Sequence, residues 1–159
     1  MKSTTHLTAG AVTGLLIAQG AQPSVALLTC GITAICGLLP DIDTGASGIA
    51  KLCRPAAYTL QLFFGHRGLF HSPVLWAILC AAWYCVAPQH STWIKAAACG
   101  ILSHLMLDTL NPAGVPWLWP FKIRIAIPAA RSGGILDRLL GLMLTVLFFI
   151  MLTAIVFPM

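Results

Sequence analysis

The sequence predicts an all-α fold: a polytopic membrane bundle of about five hydrophobic helices with interfacial segments between them, built as one domain over residues 1–159. Three observations lead there. Hydrophobic residues make up 58% of the chain and charged residues only 8%, with a mean hydropathy of +0.90, against roughly 45–50% and 25% in soluble domains. The apolar residues gather into five runs separated by connections rich in Pro and Gly. The few ionisable residues collect where those runs meet the connections. A length of 159 residues suits one compact bundle rather than two domains.

The runs are about Leu7–Gln22, Val25–Leu39, Pro73–Ala87, Trp93–Leu110 and Ile135–Phe157. The first three, at about 15–16 residues or about 24 Å of helix, fall short of the roughly 30 Å hydrocarbon core. They require interfacial turns, local bilayer thinning or packing within a bundle. The last run is long enough to span unaided. The first reads as a helix and not as a removed signal peptide, having one Lys and no small-residue cleavage site. Pro40 is expected to stop the second run and Asn111-Pro112 the fourth. Ser72-Pro73 places a capping hydroxyl before a helix-opening proline, and Ser91 or Thr92 can cap the fourth. The connection 41–71 holds an apolar stretch, Ala56–Phe64, suited to the interface. The connection 111–134 is rich in Pro, Trp and Gly, with a short strand conceivable over Lys122–Ile127.

Net charge is +5. No Lys/Arg cluster with interleaved aromatics accompanies it, so there is no nucleic-acid motif, and membrane topology is the better cause. With five spans and an internal N-terminus, Lys2, Lys51, Arg54, Arg67, Lys122, Arg124 and Arg131 share one side, with Arg138 at its edge. Only Lys95 lies opposite. This bias assigns that side to the cytoplasm. The six cysteines form no CxxC, and five of them lie in apolar runs, where they read as small buried hydrophobes. Trp93, Trp117 and Trp119 suit an aromatic belt.

The same threading places the candidate ligands. His6 opens the first run, Asp41 and Asp43 close the second, and His66 and His71 precede the third. His104 and Asp108 end the fourth, and Asp137 opens the fifth. All fall on one face of the membrane, and His90 falls on the other. A carboxylate or imidazole in such a setting is costly unless it is paired, protonated or metal-bound. His104 and Asp108, four residues apart, share a helical face, and this N/O donor set suits zinc or a comparable divalent metal, with room for one to three ions. Taken singly, each residue has a plainer reading. His6 could be interfacial, Asp41 and Asp43 solvated turn carboxylates, His104/Asp108 a hydrogen-bonded couple, and Asp137/Arg138 a helix-terminus charge with a snorkelling anchor. Gly10 and Gly14 lie beneath His6 on one stripe, and Gly100 lies beneath His104 and Asp108 on another, as close helix approach requires.

At these residues the chain resembles the YdjM-type family of bacterial inner-membrane metal-dependent hydrolases, some of whose members are regulated by the LexA repressor. The resemblance rests on Leu39-Pro40-Asp41-Ile42-Asp43, on Gly65-His66-Arg67-Gly68 with His71-Ser72, and on Ser103-His104 with Asp108, Leu110 and Pro112-Ala113-Gly114-Val115-Pro116. Such proteins are distantly similar to zinc-dependent phospholipase C and the S1/P1 nucleases. The resemblance implies metal roles for His6, Asp41, Asp43, His66, His71, His104 and Asp108. Thr44 stands where the family often has His, and Asp137 where its last helix usually opens with Glu. Asp137 is thus a possible additional ligand.

The function expected is a membrane-bound, divalent-metal-dependent hydrolase of a phosphoester, phospholipase C-like, acting on a phospholipid or lipid-linked phosphate. Asp41 or Asp43 would bridge metals or accept a proton from water, and Arg67 would clamp phosphate, with Arg54 and Arg124 as further candidates. The competing class is a non-catalytic scaffold stabilised by metal, or a metal transporter. A transporter would line a path at mid-membrane depth, whereas these residues gather at one face. With no HExxH and no Glu, an intramembrane zinc protease is disfavoured.

Overall fold

The computed structural model describes residues 1–43, 68–121 and 123–157. Among the described residues, five α-helices carry the fold: α1 (Ser3–Ile17), α2 (Pro23–Cys36), α3 (Pro73–Val86), α4 (Ser91–Thr109) and α5 (Ile135–Val156). Short 3-10 turns cover Leu39–Asp43, Leu69–His71 and Pro88–His90. No sheet is present among the described residues. Where a short strand was conceivable, Val115 and Ile125 form one isolated antiparallel bridge.

The helix limits follow local chemistry. Pro23 and Pro73 open α2 and α3 at the position where a missing N–H costs nothing. The Ser72 hydroxyl accepts from Val74 N at 3.2 Å, the cap expected for α3. α2 stops at Cys36 with Gly37 as its C-cap, before Pro40, which lies inside the following 3-10 turn. α1 begins at Ser3, earlier than its apolar run, because the Lys2 carbonyl accepts from Thr5 N and His6 N. Beyond α4 the chain folds back and satisfies the carbonyls left open at its end: Ile127 N donates to Thr109 O at 2.7 Å and Ala130 N to Leu110 O at 2.9 Å. Asn111 organises this return, its amide nitrogen donating to Ser132 Oγ and its amide oxygen accepting from Ala113 N.

α1, α2 and α4 pack most closely around Thr33, which is fully buried. A Cβ on Gly10 would lie 2.6 Å from Thr33 O, and one on Gly14 or Gly100 would clash with Thr33 as well. Thr33 Oγ1 turns back to donate to Thr29 O and Cys30 O, which satisfies the hydroxyl inside this tight contact. α5 lies against α1, and α3 lies at the edge against α4.

Among the described residues, two helical stretches have the length and hydropathy to cross a bilayer: Pro23–Ile42 (mean hydropathy 1.9) and Ile135–Val156 (2.8). The count of five spans expected from the sequence is therefore not met by helix length and composition. α3 is apolar but only 14 residues long, and α1 has 15. The apolar window of α5 is not buried inside the protein; it turns Leu142, Met143 and Ile150 outward, each more than 60% exposed or close to it. A 22-residue helix of about 33 Å with that surface matches a bilayer core.

Candidate metal centre

Five of the predicted ligands meet at one end of the bundle. His6 comes from the first turn of α1, Asp41 from the 3-10 turn after α2, His71 from the turn before α3, and His104 and Asp108 from the last turns of α4. The three imidazoles and Asp108 are sealed from the surface, while the Asp41 side chain is 13% exposed. The His6 and His104 rings stack with centroids 3.8 Å apart, and His71 meets His104 edge-on at 5.4 Å.

The donor atoms converge on two overlapping triads, His6/His104/Asp108 and Asp41/His71/His104, each within 4.8 Å and sharing His104. His6 Nε2 lies 3.2 Å from Asp108 Oδ1, and His71 Nε2 lies 3.6 Å from Asp41 Oδ1 and 3.7 Å from Asp108 Oδ2. His104 Nε2 lies 3.8 Å from Asp41 Oδ1 and 3.9 Å from Asp108 Oδ2. Ligands about 2.05 Å from a tetrahedral zinc stand about 3.3 Å apart, so these separations are close to those of a coordination shell. His104 Nδ1 lies 2.7 Å from Gly37 O. A carbonyl only accepts, so Nδ1 carries the proton and, in the neutral ring, Nε2 presents its lone pair to the cluster. Among the described residues, that Nε2 has no hydrogen-bond partner, nor has His6 Nδ1, although both are buried. Buried polar atoms are rarely left so. The donor set and its open nitrogens fit a divalent cation.

Other predicted residues fare differently. Asp43 closes the 3-10 turn, but its side chain lies outside what the structure describes, and so do His66, Arg67 and Arg54. Arg124 is exposed and donates to Ala113 O at 3.5 Å. Asp137 is fully buried but engaged elsewhere: Oδ1 accepts from Thr5 Oγ1 at 2.8 Å, and Oδ2 from Lys2 N at 3.1 Å and Gly133 N at 2.6 Å. It caps α1 from across the bundle, holding the turn that carries His6. His90 is exposed at the far end of α3 and α4, as expected.

Two features escaped the sequence reading. The Met1 α-ammonium lies 2.6 Å from Asp108 Oδ1, and the Gly37 carbonyl orients His104. Both are backbone groups, which leave no mark in a side-chain pattern.

The sequence pattern of the YdjM inner membrane protein family matches residues 1–159. Inner membrane protein YdjM of Escherichia coli (strain K12) and that of Shigella flexneri are each 34% identical over 127 residues, covering 76% of this chain and 61% of theirs. The chain thus matches less than two thirds of the length of those relatives. No solved structure matches it significantly. The chain belongs to the YdjM inner membrane protein family, and its place is the inner membrane, as a multi-pass protein.

Proposed function

We propose, from that membership and the geometry together, that the chain is a divalent-metal-dependent hydrolase of phosphoesters, with zinc the best-suited ion and a lipid or lipid-linked phosphate the substrate. The observation that carries the reading is the pair of overlapping triads, in which the buried His6 Nδ1 and His104 Nε2 have no hydrogen-bond partner among the described residues. When bound there, a divalent ion would lower the pKa of a coordinated water and polarise a phosphoryl oxygen. The protein's own groups do the rest. His104, shared by both triads and fixed by Gly37 O, sets the spacing between them. Asp41 is the partly exposed member, so substrate approaches on its side, and its carboxylate accepts the proton of the attacking water. Water oxygen bonds to phosphorus, the ester P–O bond breaks, and the departing alcohol takes up a proton. His66 and Asp43 complete the ligand set. Arg67, between His66 and His71 in sequence, clamps two phosphate oxygens, with Arg54 and Arg124 in support.

The resemblance to zinc-dependent phospholipase C and the S1/P1 nucleases supports the choice of a phosphoester, and LexA control in related proteins would place that activity in a DNA-damage response. All five helices cross the membrane in this reading, the shorter ones within the bundle, with the centre at the cytoplasmic face. The test is the zinc content of the purified chain with and without His104→Ala, followed by a panel of phosphodiesters and phospholipids. One to three ions in the native protein, loss of most of them in His104→Ala, and zinc-dependent turnover are expected. Zinc without turnover anywhere in the panel would replace the hydrolase by a metal-stabilised scaffold.

A further inference from the structure

A groove of about 190 Å³ runs between α3 and α4 and touches no residue of the two triads. Its walls are Trp76, Ala77 and Cys80 on α3 and Ala98, Leu102 and Leu105 on α4. With Pro73 and Ile101, these are the i, i+3, i+4, i+7 stripes of two facing helices, each about 10.5 Å long. Among the described residues, every lining side chain is apolar. The groove also has a direction. Pro73, two residues from His71, and Leu105, beside His104, mark its metal end, and Cys80 and Ala98 mark the other. Trp76 ties the two sites together: its ring lines the groove while its Nε1 donates to Phe70 O at 2.7 Å, bracing the turn that presents His71.

We infer that this groove holds one acyl chain of a lipid whose phosphoester lies at the His/Asp cluster. The inference rests on the hydrolase reading above and names the part of the substrate that the cluster does not touch. Three observations choose the occupant. An all-apolar groove offers water no partners. The chain is an inner-membrane protein, and α3 exposes Ile78 (59%) and Leu79 (48%) beside the groove, so the surrounding medium at that depth is hydrocarbon. The metal-ligating set at one end suits an anionic phosphate, and the apolar stripe beyond it suits the tail of the same molecule. An amphiphile satisfies both ends at once.

The test uses the full chain in phosphatidylcholine nanodiscs containing a few per cent of phosphatidic acid with a diazirine in one acyl chain. After irradiation, adducts should concentrate on Trp76, Ala77, Cys80, Ala98 and Leu102. Ala77→Phe and Ala98→Phe, made separately, fill the groove from opposite walls; each should cut those adducts about tenfold and retain the bound zinc, which also reports folding. The ratio of kcat/KM for dioleoyl over dihexanoyl substrates should fall about tenfold as well. Adducts spread evenly over the outer faces of α3 and α5, or unchanged by both substitutions, would overturn the groove, as would finding it filled by residues 44–67 of the chain. Zinc-dependent hydrolysis without groove adducts would remove the acyl site and leave the hydrolase. Groove adducts without hydrolysis of any lipid would remove the hydrolase and leave a lipid site.

Discussion

At the scale of single residues, His104 joins two structural needs. α2 ends with a buried Gly37 carbonyl that its own helix leaves without a donor, and His104 Nδ1 supplies one. The same bond aims Nε2 at both triads. His104→Ala should therefore destabilise the protein even after chelation, by about 1–3 kcal/mol for the buried acceptor left unsatisfied. Denaturation of both proteins in excess EDTA measures this, and equal stability there would mean that the Gly37 bond contributes nothing. Asp137 gives a second, separable case. Three donors converge on it, so Asp137→Ala should cost about 3 kcal/mol and loosen the first turn of α1. Because His6 rides on that turn, zinc affinity should fall about tenfold while saturating zinc still fills the site. Complete loss of zinc at saturation would make Asp137 a ligand after all. Arg67→Lys keeps the charge but not the two-pronged donor, so it should retain zinc and lower turnover at least tenfold. Unchanged kcat/KM would remove Arg67 from the phosphate site.

At the scale of elements, the small residues determine how near the helices come. Gly100 on α4 and Gly10 and Gly14 on α1 all face Thr33, so α2 is gripped between the two helices that carry His6, His104 and Asp108. A methyl group at Gly100 would meet the Thr33 backbone, which cannot rotate away. Gly100→Ala should then cost about 1–3 kcal/mol by overpacking, and it should weaken zinc binding by moving α4 off α1. Gly31, whose Cβ would meet open space, serves as the control: Gly31→Ala should be neutral or slightly stabilising. If both alanines behave alike in thermal melts, the glycine seam is not what spaces the ligands. This seam was legible in the sequence, because Gly10/Gly14 and Gly100 recur at helical spacing beneath the polar residues. Helix existence was legible for the same reason, since five apolar runs gave five helices. The ends were less so. α1 starts before its apolar run, where Lys2 N and Thr5 Oγ1 donate to Asp137, more than a hundred residues away, and local pattern carries no trace of such a partner. α2 stops at Cys36, and Pro40 is absorbed in a 3-10 turn that sets Asp41 toward the cluster. The motif Asn111–Pro116 was recognisable as a unit, but its work proved structural: Asn111 organises the return of the chain, and Val115 pairs with Ile125 above Leu105.

At the scale of the whole molecule, the centre is assembled from helix ends that alternate along the chain. The start of α1, the end of α2, the start of α3 and the end of α4 supply ligands, and Asp137 pins the start of α5 beside the start of α1. Such alternation is what an up-and-down bundle produces, and it explains why polar residues far apart in sequence share one end while His90 occupies the other. Among the described residues, length and hydropathy taken alone mark only Pro23–Ile42 and Ile135–Val156 as spanning stretches. The two descriptions differ in parity, and parity can be measured. If all five helices cross from an internal N-terminus, a reporter fused after Met159 lies in the periplasm; if only the two long stretches cross, it returns to the cytoplasm. The alternation of ligand-bearing ends favours five, because a helix lying flat at the interface would not carry the chain from the His71 end to the His90 end. Alkaline phosphatase joined after Met159 should therefore be active, and the same enzyme inserted after Leu110, at the metal end, should be inactive. A periplasmic signal after Leu110 with a cytoplasmic one after Met159 would reduce the crossings to an even number and turn one of the shorter helices into an interfacial one.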